Sequence, residues 1–87
     1  MYYTYAIKSK INSKLYYGHT QNLEERLKRH NSDKGKYTSK SGSWVLVYFE
    51  EFMTRSLAVQ REIFFKSGKG REFIKLKISN DKINVGV

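Results

Sequence analysis

Aromatic and β-branched residues crowd the start of the chain in two short runs, Tyr2 to Ser9 and Leu15 to His19, with Asn12-Ser13 between them. Runs of that composition favour extended backbone and Asn-Ser turns it, so a β-hairpin is predicted. The period then changes. Asn22 suits a helix N-cap with Glu25 three residues on, and Leu23, Arg26, Leu27 and His30 recur at i, i+3, i+4 and i+7 on one stripe. Glu24 with Lys28 and Glu25 with Arg29, both at i,i+4, mark the opposite, solvent face. Arg26 and His30 are therefore expected to face the hairpin, where a small core would normally place apolar groups.

Residues Asn31 to Ser43 show no sustained periodicity and are rich in Ser, Gly, Lys, Asp and Asn, which predicts a flexible loop carrying Lys34, Lys36, Tyr37 and Lys40. Trp44 to Phe52 reads as a third strand, buried on both faces around Val45, Leu46 and Val47 and ending at the acidic pair Glu50-Glu51. Thr54 or Ser56 caps a second helix that carries Leu57, Ala58, Arg61, Glu62, Phe64 and Phe65 before Gly68 ends it. Glu62 lies one turn after Ala58 and three residues before Phe65, which makes it the best-placed inward carboxylate. Phe73 to Ile78 alternates like a strand, whereas Gly70-Arg71-Glu72 suits the opening of a short helix; periodicity alone favours the strand. Residues 1–80 form one expected domain and 81–87 a frayed tail.

Composition narrows the function. With 87 residues and 39% hydrophobic content, one compact domain is expected. Lys and Arg number 17 against 8 Asp and Glu, a net charge of +9 that attracts polyanions, nucleic acid first. Apolar runs such as Trp44 to Tyr48 are too short to span a bilayer, and the first nine residues lack the features of a signal peptide, so a cytoplasmic protein is expected. No cysteine is present, which removes disulfides, thiolate chemistry and cysteine-based zinc sites, and two histidines are too few for a histidine-rich centre. Any metal must sit on oxygen ligands.

The ordered set Tyr3-Thr4-Tyr5, Tyr16-Tyr17-Gly18, Arg26 eight residues after Gly18, and Glu62 on a later helix resembles the GIY-YIG nuclease domain, in the form of small stand-alone bacterial proteins related to the catalytic module of excision-repair endonucleases. The resemblance covers roughly residues 2 to 78. It is supported by Lys-Leu-Tyr-Tyr-Gly, by the helix start Asn-Leu-Glu-Glu-Arg, and by Leu-Val-Tyr-Phe-Glu-Glu-Phe followed by Arg55-Ser56. It implies an α+β fold, a small three-stranded antiparallel sheet flanked by helices, with a helical C-terminal segment in place of the strand that alternation favours. Tyr5, Tyr16, Arg26 and Glu62 match functional positions of the family, and His30 matches a histidine found in part of it. Tyr3, Thr4 and Tyr17 depart from the family's pattern at positions that do not usually supply the chemistry. His19 stands where some relatives place a lysine.

Hydrolysis of a phosphodiester requires an activated water, charge neutralisation on the phosphate and stabilisation of the leaving oxygen. Glu62 is the expected holder of a single Mg²⁺ or Mn²⁺, Arg26 braces the phosphate with its planar fork, and Tyr5, Tyr16 and His30 share the handling of water. Which of those three takes the proton stays open at this point. So do plainer roles: half-buried packing for the tyrosines, a structural Arg26–Glu62 ion pair, a helix-dipole contact for His30. Lys34, Lys36, Lys40, Lys66, Lys69 and Arg71, with Lys75 and Lys77, form the expected phosphate-tracking surface, for DNA more than RNA and without sequence readout. The function expected is a metal-dependent endonuclease that is structure-selective or weakly specific. Its alternative is a nucleic-acid-binding module of the same fold that cuts little or nothing; for the catalytic domain, a separate targeting protein is a further expected partner.

Overall fold

The computed structural model describes residues 1–32 and 43–85, with side chains described as far as Ser79. Most of the expected loop, including Lys34, Lys36, Tyr37 and Lys40, lies outside those residues. The elements run β1 (Tyr2–Ser9), β2 (Leu15–Thr20), α1 (Leu23–His30), β3 (Trp44–Phe52), α2 (Arg55–Lys66) and α3 (Gly68–Val85). The strands form one antiparallel sheet in the order β2-β1-β3.

The hairpin closes through the expected Asn-Ser turn. Ser13 takes φ 61, and Asn12 Oδ1 accepts from the Lys14 backbone N–H at 3.0 Å, an Asx arrangement that holds the turn. Being central, β1 is buried on both sides, and its alternation assigns each side chain a face. Ala6 joins Tyr17, Phe65 and Ile74 beneath α2 and α3, whereas Tyr5, Ile7 and Trp44 pack with Tyr16, Leu23 and Leu27 beneath α1. The sheet is therefore the middle of three layers, with a small core on each face.

Three expectations need correction. β3 is an edge strand, not one buried on both faces: Leu46 is 37% exposed and Phe49 44%. A bulge shifts the register between the Ala6–Tyr48 and Ile7–Leu46 pairs, so Val47 and Tyr48 both reach the α2–α3 core. The doubly buried strand is the more polar β1, where Thr4 Oγ1 donates to the Ala58 carbonyl at 2.7 Å and Ser9 Oγ accepts from the Ile11 N–H at 3.2 Å. Buried hydroxyls with partners cost little, so polarity misled the burial reading.

The C-terminal segment is helical, as the resemblance implies and alternation does not. Gly70 and Ile74 are buried with Phe73 and Ile78 partly so, while Leu76 is 66% exposed, a helical stripe that a strand could not produce. α3 is assigned from Gly68 to Val85. Finally, α2 ends not at Gly68 but at the Ser67 cap, whose hydroxyl donates to the Phe64 carbonyl at 2.6 Å, and Gly68 already opens α3. The glycine that matters there is Gly70: a Cβ on it would lie 1.7 Å from the Phe64 carbonyl oxygen, so only glycine lets α3 cross the end of α2.

Of the two proposed caps for α2, Thr54 is used, accepting from the Leu57 N–H at 3.2 Å. Asn22 caps α1 as expected, accepting from the Glu25 N–H at 3.0 Å. The Glu24–Lys28 and Glu25–Arg29 sets are exposed, but neither closes as an ion pair.

Candidate active site

Tyr5 points to the α1 face and is 2% exposed. Its antiparallel partner across the sheet is Gly18, and a Cβ there would stand 2.5 Å from the Tyr5 hydroxyl oxygen. Glycine thus does more than set the spacing to Arg26: it removes the side chain that would block the phenol, letting the hydroxyl lie over β2. There it meets the α1 stripe, 2.9 Å from His30 Nε2. Arg26, one turn before His30, sits beside the same hydroxyl and sends Nη1 toward the His19 carbonyl at 3.5 Å. The Tyr16 ring packs edge-on against His30 with centroids 5.0 Å apart, and Trp44 closes the far side at 6.5 Å.

Glu62 approaches from the other face. His19 pairs across the sheet with Thr4, so both point toward α2, and Thr4 ties β1 to Ala58, one turn before Glu62. One Glu62 oxygen lies 2.6 Å from His19 Nδ1 and the other 2.7 Å from Lys66 Nζ. An Arg26–Glu62 ion pair, the plain structural alternative, does not form; among the described residues the ion pairs are His19–Glu62, Lys66–Glu62 and Arg61–Glu50. The candidate groups therefore wrap around β2, one of the two edge strands, with Tyr5, Tyr16, Arg26 and His30 on one side and Glu62 on the other.

The electrostatics of the two sides differ. Burial pushes the Tyr5 phenol up to about 12; Arg26 pulls it down in part, and Tyr16 and Glu62 add to the rise. Burial, reinforced by the charges of Arg26 and Arg29, lowers His30 from its ordinary value, which keeps the imidazole neutral. With both groups neutral, the Tyr5 hydroxyl and His30 Nε2 share one hydrogen bond, in which Tyr5 is the donor when the imidazole carries its proton on Nδ1. For Glu62, burial alone would raise the carboxyl, but hydrogen bonds and charge from His19 and Lys66 outweigh it and hold it below the usual carboxylate range. Glu62 is an anion at neutral pH.

Among the described residues no group of three or more His, Cys, Asp or Glu converges as a metal cage. The donor set fits a different arrangement, a hard cation held by one ionised carboxylate and otherwise by water and substrate oxygens. The Lys66 side chain that pairs with the carboxylate is 56% exposed.

Several contributors escaped sequence reasoning. Gly18 acts by absence, Thr4 through its buried hydroxyl, and Asn31 by joining α1 to β3: its amide accepts from the Trp44 N–H at 2.6 Å and donates to the Trp44 carbonyl at 3.1 Å, fixing Trp44 against His30. An asparagine directly after a helical stripe was the one available signal. Lys66 joins the carboxylate, and Lys69 and Arg71 are exposed near the start of α3.

The family model of the GIY-YIG catalytic domain matches residues 1–77. A UPF0213 protein of Staphylococcus haemolyticus is 42% identical over 76 residues, covering 86% of this chain and 92% of that protein. One from Clostridium perfringens is 48% identical over 67 residues, 76% of this chain and 71% of that protein, and one from Oceanobacillus iheyensis is 38% identical over 76 residues, 86% and 87%. No solved structure matches the chain. No helix among the described residues is long and apolar enough to cross a membrane. With a three-stranded antiparallel sheet carrying the tyrosines of both tripeptides and a family match over most of its length, the chain belongs to the GIY-YIG catalytic domain family, whose members are in general nucleases acting on nucleic acid.

Proposed function

We propose that this chain is a metal-dependent endonuclease that hydrolyses DNA phosphodiester bonds, choosing sites by DNA structure or with weak specificity. The observation that carries the proposal is the buried Tyr5–His30 hydrogen bond at 2.9 Å beside Arg26. A phenol raised to about 12 is a poor resting base, but one hydrogen-bonded to a neutral imidazole that can take its proton is a good relay. Tyr5 Oη accepts a proton from the attacking water as its own proton passes to His30 Nε2. The water oxygen forms the new bond to phosphorus, the bond to the leaving oxygen breaks, and that oxygen takes a proton from solvent. Arg26 braces the phosphate with its planar donors, and Tyr16 keeps the His30 ring in place.

Glu62 is the residue to hold one Mg²⁺ or Mn²⁺, which when bound supplies charge neutralisation on the phosphate and acidifies water. Lys66, Lys69 and Arg71 hold the DNA backbone, together with Lys34, Lys36 and Lys40, and a cytoplasmic setting suits that substrate.

Incubating plasmid and branched DNA with Mg²⁺ or Mn²⁺ tests this reading. Cleavage abolished by Glu62→Ala is expected; no cleavage of either DNA, or cleavage that persists in the variant, sinks it. One observation favours a second reading, a DNA-binding module that cuts little: both Glu62 oxygens already have partners within the protein, His19 and Lys66. Salt-sensitive binding unaffected by Glu62→Ala, with no cleavage on either DNA, would select it.

A further inference from the structure

Two basic grooves flank Glu62, which lines neither of them itself. The larger, about 660 Å³, lies between the end of β2, α1 and the start of α2, with Arg26, Lys28, Arg29 and Arg55 in its walls against a single carboxylate, Glu25. The other, about 370 Å³, runs between β2 and α3 with Lys66, Arg71 and Lys75 in its walls and no carboxylate. His19 belongs to the first groove and Lys66 to the second, and each bonds one oxygen of the same Glu62 carboxylate. Those two hydrogen bonds place the carboxylate between the grooves.

Arg29, Arg55, Arg71 and Lys75 are exposed, and none is in an ion pair among the described residues. Their donors are left for another anion. The Arg55 guanidinium lies over the Tyr2 ring, 5.6 Å from the centroid, a cation–π contact that favours this position. Cations of one sign along concave walls focus the field on a polyanion that follows them.

We infer that the two grooves form one continuous track for DNA backbone phosphates crossing over Glu62, with Arg29 and Arg55 gripping the strand on one side of the cleaved bond and Arg71 and Lys75 on the other. The inference rests on the nuclease reading above and adds to it a second footprint, on α1 and the start of α2. Charge alone would spread contacts over all seventeen cations of the chain. The geometry instead selects the seven in the groove walls, Arg29, Arg55, Arg71 and Lys75 among them, and leaves out others such as Lys10, which is exposed on the β1–β2 turn and lines neither groove.

The test is fluorescence anisotropy of the full chain with a splayed-arm DNA over a series of salt concentrations, with EDTA present so that nothing is cut. Each of Arg29→Ala, Arg55→Ala, Arg71→Ala and Lys75→Ala should weaken binding and lower the salt slope by about 1, with effects adding across the two grooves. Arg55→Lys should keep the slope, and Lys10→Ala should change nothing. Slopes that fall for one groove only, or groove variants indistinguishable from Lys10→Ala, overturn the continuous track. The two readings fail separately: absent cleavage with intact groove effects removes the nuclease alone, and Glu62-dependent cleavage with unmoved slopes removes the track alone.

Discussion

The two sides of β2 hold the same site by opposite means. On the α1 side Tyr5 and His30 are nearly sealed from water and burial drives both toward their neutral forms. On the α2 side Glu62 is held as an anion by hydrogen bonds from His19 and Lys66, the latter largely exposed. A proton relay needs neutral partners with fixed geometry, and a cation site needs a charge that can exchange partners. The difference teaches that fold stability and chemistry should be coupled on the first side and separable on the second.

The largest expected effect breaks the meeting point itself. Gly18→Ala places a methyl within 2.5 Å of the Tyr5 oxygen, so the phenol must leave or the strands must part. Overpacking of this kind costs about 1–3 kcal/mol, and cleavage should be lost with it. A urea midpoint at the parent value would show that the sheet edge is looser than the structure indicates.

Next, Tyr5→Phe removes the relay while keeping the ring. Cleavage should fall by about 10²–10⁴ and stability by about 1–3 kcal/mol, because the buried His30 nitrogen loses its partner. Glu62→Gln provides the contrast. Cleavage should disappear while stability changes by less than about 1 kcal/mol, since the Lys66 partner is exposed and such pairs contribute little. If Glu62→Gln destabilises as much as Tyr5→Phe, the two sides are not separable.

The smallest effect is the pH dependence of stability, and it sharpens the comparison by window. His30 is depressed in the folded state, so the unfolded chain binds its proton first and stability begins to fall as pH drops below the ordinary histidine value of about 6.5. Glu62 is depressed too, so its contribution is complete above the ordinary carboxylate value of about 4.3 and is lost as pH falls through its lower folded value. Urea midpoints against pH should lose the upper step in His30→Gln and the lower one in Glu62→Gln. A single step removed by neither variant would contradict both assignments.

Much of this was legible in the chain because the signals are local. Asn22 and Glu25 start α1, the i, i+3, i+4, i+7 stripe aims Arg26 and His30 inward, and Asn12-Ser13 makes the hairpin. Local hydrogen bonding and side-chain period suffice for these. What failed was neighbour-dependent. The run Val45-Leu46-Val47 is apolar enough for a central strand, yet β1 holds the centre because Thr4 and Ser9 find partners there. Phe73 to Ile78 alternates, yet the α2 surface it meets selects the helical stripe through Phe73 and Ile74 and leaves Leu76 in water.

The sequence by itself therefore determined the elements, the inward Arg26 and His30, the basic character and the family. Only the tertiary structure decided that Glu62 answers to His19 and Lys66 instead of Arg26, that Gly18 and Gly70 are needed for the space they leave empty, and that the site folds around the free edge of β2. Those facts depend on which residues meet across 43 positions between His19 and Glu62, a distance in sequence over which no periodicity carries information.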